Sequence, residues 1–429
     1  MIRRGVLIAG LVAGALTLAA GAHTGPGSGS QPAAAAKAAE VDIDAAVARA
    51  AEFLLQAQEG EGRAEWPYEG VYRVRGQIPI GYRVGGTAIC ATALLRAPGY
   101  EADAQRREAV ARACEFVCRG VDHPLMSEKD YDGGYDVRGW GYTYGLAFLL
   151  ELKRAGHVPE GQAEAVEHAI AFYIDAIQKT EIPQAGGWNY ARPPGRDTVA
   201  PASSFMTAPT LQALFEARRQ GYAVDEAVVE RGLGALRRAL MPSGAVVYSG
   251  EAGERSGDGV PGAVGRMVAT QATLALAGRA TPADVRAAVD AFIVHWEWLE
   301  KRRARPGTHQ GPYGIAPYYF YYAHYYAAQA IELLPRRERP EYRRRLAALI
   351  FATRSPEGTW NHRVFPRSAA YGTAMSSMAL LMPRSGDEPA RWDVKADARA
   401  AGPGAAAGGT LGKERDGGAG GAGPEDRAQ

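Results

Sequence analysis

The sequence predicts an all-α protein, a double-layered ring of six helical hairpins, and three observations carry that prediction. A unit of roughly 55 to 65 residues recurs six times between residues 41 and 383, each copy opening on an amphipathic helix and closing on an apolar one. Links inside a copy are long and varied, whereas links between copies are short and marked by Gly, Pro and helix caps. The second helix of most copies is rich in Ala and Leu and reads as buried nearly all round, so these helices form an inner layer backed by the amphipathic ones.

The third copy shows the unit most clearly. Glu164, Ala165, His168, Ala169, Phe172, Tyr173 and Ala176 place their apolar members at helical spacing and predict an outer helix. A turn-rich segment runs from Gln178 through Ile182-Pro183 to Gly186-Gly187-Trp188, followed by a loop with Pro193-Pro194-Gly195. From Phe205 to Leu214 the chain turns apolar and small, which predicts an inner helix. The other outer helices are expected near Ala45, Arg107, Glu226, Ala283 and Tyr342, and the inner ones near Thr87, Thr143, Thr207, Thr270, Tyr321 and Thr373. Between them stands a Gly-x-aromatic element or its remnant: Trp66, Gly133-Gly134-Tyr135, Gly244-Ala245-Val246, Gly311-Pro312-Tyr313 and Gly358-Thr359-Trp360. Thr281 before Pro282 reads as an N-cap with proline at the first helical position. If the helices alternate in direction, the long loops and the inner-helix N-termini share one rim. Variable loops on a rigid scaffold and helix N-termini make that rim the expected place for binding or chemistry.

The units resemble the QW-type repeats of the squalene–hopene cyclase and protein prenyltransferase superfamily, also described as prenyltransferase/squalene oxidase repeats. The resemblance rests on Leu54-x-x-x-Gln58 with Trp66, Ile174-x-x-x-Gln178 with Gly186-x-Trp188, and Ile350-x-x-x-Arg354 with Gly358-x-Trp360. It implies an α/α toroid in which the Gln and Trp tie one repeat to the next.

Both ends of the chain read differently from the repeats. Met1-Ile2-Arg3-Arg4 is basic, Gly5 to Gly21 is apolar, and Ala20-Gly21-Ala22 matches a cleavage site, so residues 1–22 are expected to be a signal peptide. Residues 23–40 and 384–429 are Gly-, Ala- and Pro-rich and are expected to be disordered, leaving 41–383 as the toroid. The chain is therefore expected to be periplasmic or secreted, without a stable membrane anchor. Lys and Arg number 49 against 47 Asp and Glu, and they are scattered, which argues against a nucleic-acid partner. Cys114 and Cys118 lie four apart on a predicted helix, poor geometry for a disulfide, and with Cys90 they read as small buried side chains.

Family chemistry transfers poorly to this sequence. The cyclases of that superfamily use Asp-x-Asp-Asp as a proton donor, because neighbouring groups keep one acid protonated. The nearest string here is Asp130-Tyr131-Asp132 with Asp136 beyond, which lacks the adjacent pair. These residues are candidates for a catalytic acid or, with Glu128, for a Ca²⁺-binding loop. The zinc ligands of the prenyltransferases are absent from Gly314-Ile315-Ala316-Pro317-Tyr318 and Ala370-Tyr371-Gly372-Thr373, so neither metal nor cofactor is expected. Asp258 in the fourth long loop could pair with Asp132 in a glycosidase-like arrangement.

The fifth inner helix is dense in aromatics, and Tyr318, Tyr322, Tyr325 and Gln329 share one face, with His324 nearby. Such a face could line a central cavity, stacking on a sugar or packing on an isoprenoid chain, or its rings could simply fill the hole. Trp188, Tyr190 and Asp197 in the third long loop are further binding candidates. The expected function is an exported, noncatalytic or uncharacterised ring binding a hydrophobic or glycan ligand or a partner. The alternatives are a terpenoid cyclase or isoprenoid-processing enzyme and a carbohydrate-active enzyme on a six-hairpin barrel.

Overall fold

A computed structural model of the chain describes residues 42–70, 73–129, 136–189, 200–253, 259–384, 386 and 388–392. Among these, twelve α-helices account for the regular structure apart from short 3₁₀ turns and isolated bridges. The outer layer is α1 (Ile43–Ala57), α3 (Ala104–Arg119), α5 (Ala163–Lys179), α7 (Glu226–Arg238), α9 (Pro282–Arg302) and α11 (Arg339–Phe351). The inner layer is α2 (Ile80–Arg96), α4 (Arg138–Arg154), α6 (Ser204–Arg219), α8 (Val260–Leu276), α10 (Tyr319–Glu332) and α12 (Ser368–Leu381). Each inner helix packs on the next, and α12 returns to α2 and α1, so the expected ring closes as an α/α toroid.

Outer helices start within three residues of their expected positions because capping is written locally. Thr281 and Asp284 form a reciprocal capping box on α9, and Asp103 caps α3. Inner helices start two to ten residues earlier than expected. The first two turns of α2, α4, α8 and α12 hold glycines that resemble turn punctuation in sequence but lie at close approaches. A Cβ on Gly81 would lie 2.2 Å from the Val137 carbonyl oxygen, and one on Gly86 would lie 2.4 Å from that of Trp66.

The tryptophans join the two helices of a copy, and the glutamines join one copy to the next. The indole N–H of Trp66, Trp188 and Trp360 donates to the carbonyls of Leu54, Ile177 and Ile350 near the end of the preceding outer helix, at 2.7–2.8 Å. Their backbone N–H groups donate to Thr87, Thr207 and Thr373 on the following inner helix, at 2.9–3.0 Å. Gln58 donates to the Ala109 carbonyl of the next outer helix, and Gln178 accepts from the Asp225 N–H at the start of α7. In the fourth copy no indole is present, and Arg266 instead donates from Nε to the Val246 carbonyl at 3.0 Å.

The packed chain extends past the expected boundary at Pro383. Residues 388–392 lie against the ring, with Ala390 and Trp392 buried, because the Trp392 indole stacks on Phe215 and its backbone N–H donates to the Leu276 carbonyl at 2.9 Å. The expected signal peptide, the 23–40 segment and the tail beyond residue 392 lie outside the described residues. Among the described residues no helix is long and apolar enough to cross a membrane.

Candidate functional site

The two ends of the inner ring are built differently. At the end carrying the inner-helix N-termini and the long loops, aromatic side chains occupy the centre. Tyr68 meets Tyr82, Trp140 and Tyr371 at ring-centroid distances of 5.3, 5.2 and 4.8 Å. Tyr322 of α10 reaches α6, stacking on Phe205 at 4.1 Å and donating its hydroxyl to the Phe205 carbonyl at 3.1 Å. Among the described residues these rings fill the centre at that end.

Toward the inner-helix C-termini the ring is hollow, with a cavity of about 430 Å³. Its interior presents Thr92, Thr143, Tyr144, Gln212, Tyr325 and Gln329 over an apolar lining that includes Ile89 and Met378. Gln212 and Gln329 exchange two amide hydrogen bonds at 2.8 and 2.9 Å, and Gln212 also donates to Thr273 at 2.8 Å. The Tyr144 hydroxyl lies close to that of Tyr326 but outside hydrogen-bonding geometry, and burial pushes its pKa up. A polar group buried without a full partner has hydrogen-bonding capacity to offer a ligand.

The lip of the cavity is ionic. Arg96 clamps Glu151 with two bonds of 2.5 Å, Arg343 and Arg339 hold Glu332, and Arg219, Arg154 and Gln220 surround Glu216. Each of these glutamates is engaged by guanidinium, the setting of a structural carboxylate rather than of a proton donor. Arg336 and Arg391 also line the cavity and make no ion pair among the described residues. The chain after α12 contributes Pro389, Ala390 and Arg391 to the wall before Trp392 anchors it near the ends of α6 and α8.

The expected site residues separate into five groups. Tyr325 and Gln329 line the cavity. Tyr322 belongs to the aromatic cluster, and Tyr318 lies at the same end, its hydroxyl 2.8 Å from His309 Nε2 and 3.2 Å from the Tyr248 hydroxyl. Trp188 and His324 are buried in the walls. His324 turns away from the cavity toward α9, where Nε2 accepts from the Trp296 indole at 2.8 Å and Nδ1 contacts the Phe320 carbonyl at 2.7 Å. Asp136 is buried at the start of α4, bound by the Arg138 guanidinium and backbone N–H at 2.9–3.1 Å. Asp130, Asp132, Tyr190, Asp197 and Asp258 lie outside the described residues.

Gln212, Tyr144 and the arginine lip escaped sequence reasoning. A signal for Gln212 existed: it is a carboxamide in the middle of a helix otherwise buried nearly all round. The lip had no such signal, since its arginines come from the ends of helices far apart in the chain. Among the described residues no group of three or more His, Cys, Asp or Glu is placed to hold a metal ion.

No protein-family model matches the chain, and no curated protein matches it. Solved structures do. The GH76A α-1,6-mannanase of Salegentibacter sp. HEL1_6 is 12% identical and superposes with TM-score 0.50, covering 80% of this chain and 99% of that one. An inactive variant of that mannanase in complex with α-1,6-mannotetrose gives 10% identity, 80% and 100% coverage and TM-score 0.51. The GH76 α-mannanase of Bacteroides thetaiotaomicron gives 10%, 80%, 97% and 0.50. A type II terpene cyclase from Scytonema is similar at TM-score 0.44, with 15% identity and 80% and 98% coverage. At these identities the likeness to the mannanases establishes the α/α toroid, and the terpenoid cyclases are not singled out.

Proposed function

We propose that this chain is a noncatalytic binding ring whose cavity takes a small polyhydroxylated ligand, a glycan or a compound of similar chemistry. The observation that carries the reading is the cavity itself. Its volume of about 430 Å³ falls within the ~300–1,000 Å³ usual for small-molecule sites. Its interior polar groups are hydroxyls and carboxamides beside Tyr325, suited to hydrogen bonding and stacking on a sugar. The glutamates of its inner helices are tied to arginines, which favours binding over acid–base chemistry. Export belongs to the same proposal and rests on residues 1–22; sequencing the N-terminus of the mature protein would test it.

Two structures of the mannanase hold α-1,6-mannotriose and α-1,6-mannotetrose, which makes these the first probes to use. Titration calorimetry is expected to show saturable binding that weakens at least tenfold in Tyr325→Ala and Gln329→Leu. Absence of binding by these and other oligosaccharides would sink the glycan reading. New reducing ends released on incubation would replace it with a carbohydrate-active enzyme.

A further inference from the structure

Away from the cavity, where α9 ends and the α11–α12 connection turns back, three arginines gather without a counter-charge. Arg363 is 4% exposed, yet its Nε and Nη1 are buried with no hydrogen-bond partner. Arg302 closes α9; its Nη2 donates to the Pro306 carbonyl at 3.0 Å, while its Nε is likewise buried and unpartnered. Two bonds clamp the segments together, from the Ala304 N–H to the His362 carbonyl at 3.1 Å and from Arg303 Nη1 to the Asn361 carbonyl at 3.2 Å. Arg303 is neutralised by Glu300 through two bonds of 2.6 and 2.7 Å. Arg302, Arg305 and Arg363 pair with no carboxylate among the described residues.

A helix C-terminus attracts cations, which accounts for Lys301 and Arg302 at the end of α9. It does not account for Arg363, which lies on another segment and is buried. Burying a guanidinium beside like charges is unfavourable, and among the described residues Arg363 is offset by the Phe365 ring at 5.5 Å and by no carboxylate. Burial holds the Arg302 pKa below its ordinary value, and Arg305 and Arg363 lower it further. An arrangement of this kind is completed by an anion. Guanidinium groups match tetrahedral oxyanions through charge-assisted hydrogen bonds, and a net excess of cations favours a multiply charged one.

We propose that Arg302, Arg305 and Arg363 form a binding site for a phosphate or sulfate group, separate from the ring cavity. None of the three lines that cavity, so the site stands whether or not the cavity takes a glycan.

The full chain in chloride buffer is titrated with inorganic phosphate, inorganic sulfate and glycerol phosphate. Saturable one-to-one binding is expected, at least tenfold weaker in Arg363→Met and severalfold weaker in Arg305→Gln. Tighter binding of glycerol phosphate than of the inorganic ions would identify the natural ligand as a phosphorylated organic molecule; the reverse order would identify the free ion. In the absence of added anion, Arg363→Met is expected to melt no lower than the wild type, because the substitution removes a buried unpaired charge. No saturable binding of any of the three at millimolar concentration would overturn the proposal, as would unchanged affinity in both variants. Should Arg363→Met fail to fold, Arg305→Gln decides, since Arg305 is exposed.

Discussion

His324 illustrates how one side chain couples the ring to pH. It is fully buried, and its Nε2 accepts from Trp296, so the imidazole is neutral in the folded chain. Burial lowers its pKa to about 4 from an ordinary 6.5, with Arg303 adding to the effect against the Phe320 carbonyl. Between those values the unfolded chain binds a proton that the folded chain does not, so stability falls as pH drops from 6.5 to 4. The loss approaches about 3 kcal/mol. His362, also buried and pushed well down, acts in the same direction. Urea midpoints measured from pH 7 to pH 4 should fall, and the fall should be shallower in His324→Gln, which keeps an acceptor for Trp296. An equal slope in the variant would show that other groups govern acid sensitivity. At this scale the sequence identified a histidine among aromatics and did not record which way it faces. Which face of α10 meets α9 depends on how two helices pack, and a single helix does not record it.

At the scale of the element, four of the six inner helices carry glycines in their early turns that local propensity would replace. Gly86 lies within α2, where alanine would be favoured by about 0.5–1 kcal/mol on backbone grounds. Its missing Cβ would stand 2.4 Å from the Trp66 carbonyl oxygen, a backbone atom that cannot swing aside. Overpacking of that kind costs about 1–3 kcal/mol. The steric term should win, making Gly86→Ala destabilising by roughly 1–2 kcal/mol in chemical denaturation. A more stable variant would mean that α2 and the Trp66 turn can separate without cost. The outer helices were legible because caps and amphipathic periodicity are local. The inner starts were not, because a helical glycine at a close approach and a glycine in a turn look alike in sequence.

For the whole molecule, the segment after α12 gives the ring a feature the repeats do not contain. From the C-terminal end of α12 the chain passes the cavity and reaches α6 and α8, where Trp392 stacks on Phe215 with Arg218 at 4.2 Å from its ring centre. Trp392 is 2% exposed, so Trp392→Ala should cost about 3 kcal/mol or more. Because Ala390 and Arg391 form part of the cavity wall, the same variant should alter the binding of any cavity ligand as well as stability. Denaturation that is unchanged relative to wild type would show that the segment is not held on the ring. The sequence by itself determined the architecture: six hairpins and two layers, written in local periodicity and spacing, with the roles of Trp and Gln implied by the family resemblance. Only the tertiary structure placed a cavity toward the inner-helix C-termini. Tyr68, Trp140, Tyr322 and Tyr371 come from four separate segments, and their volumes meet only once the ring has closed, filling the long-loop end and leaving the hollow at the other.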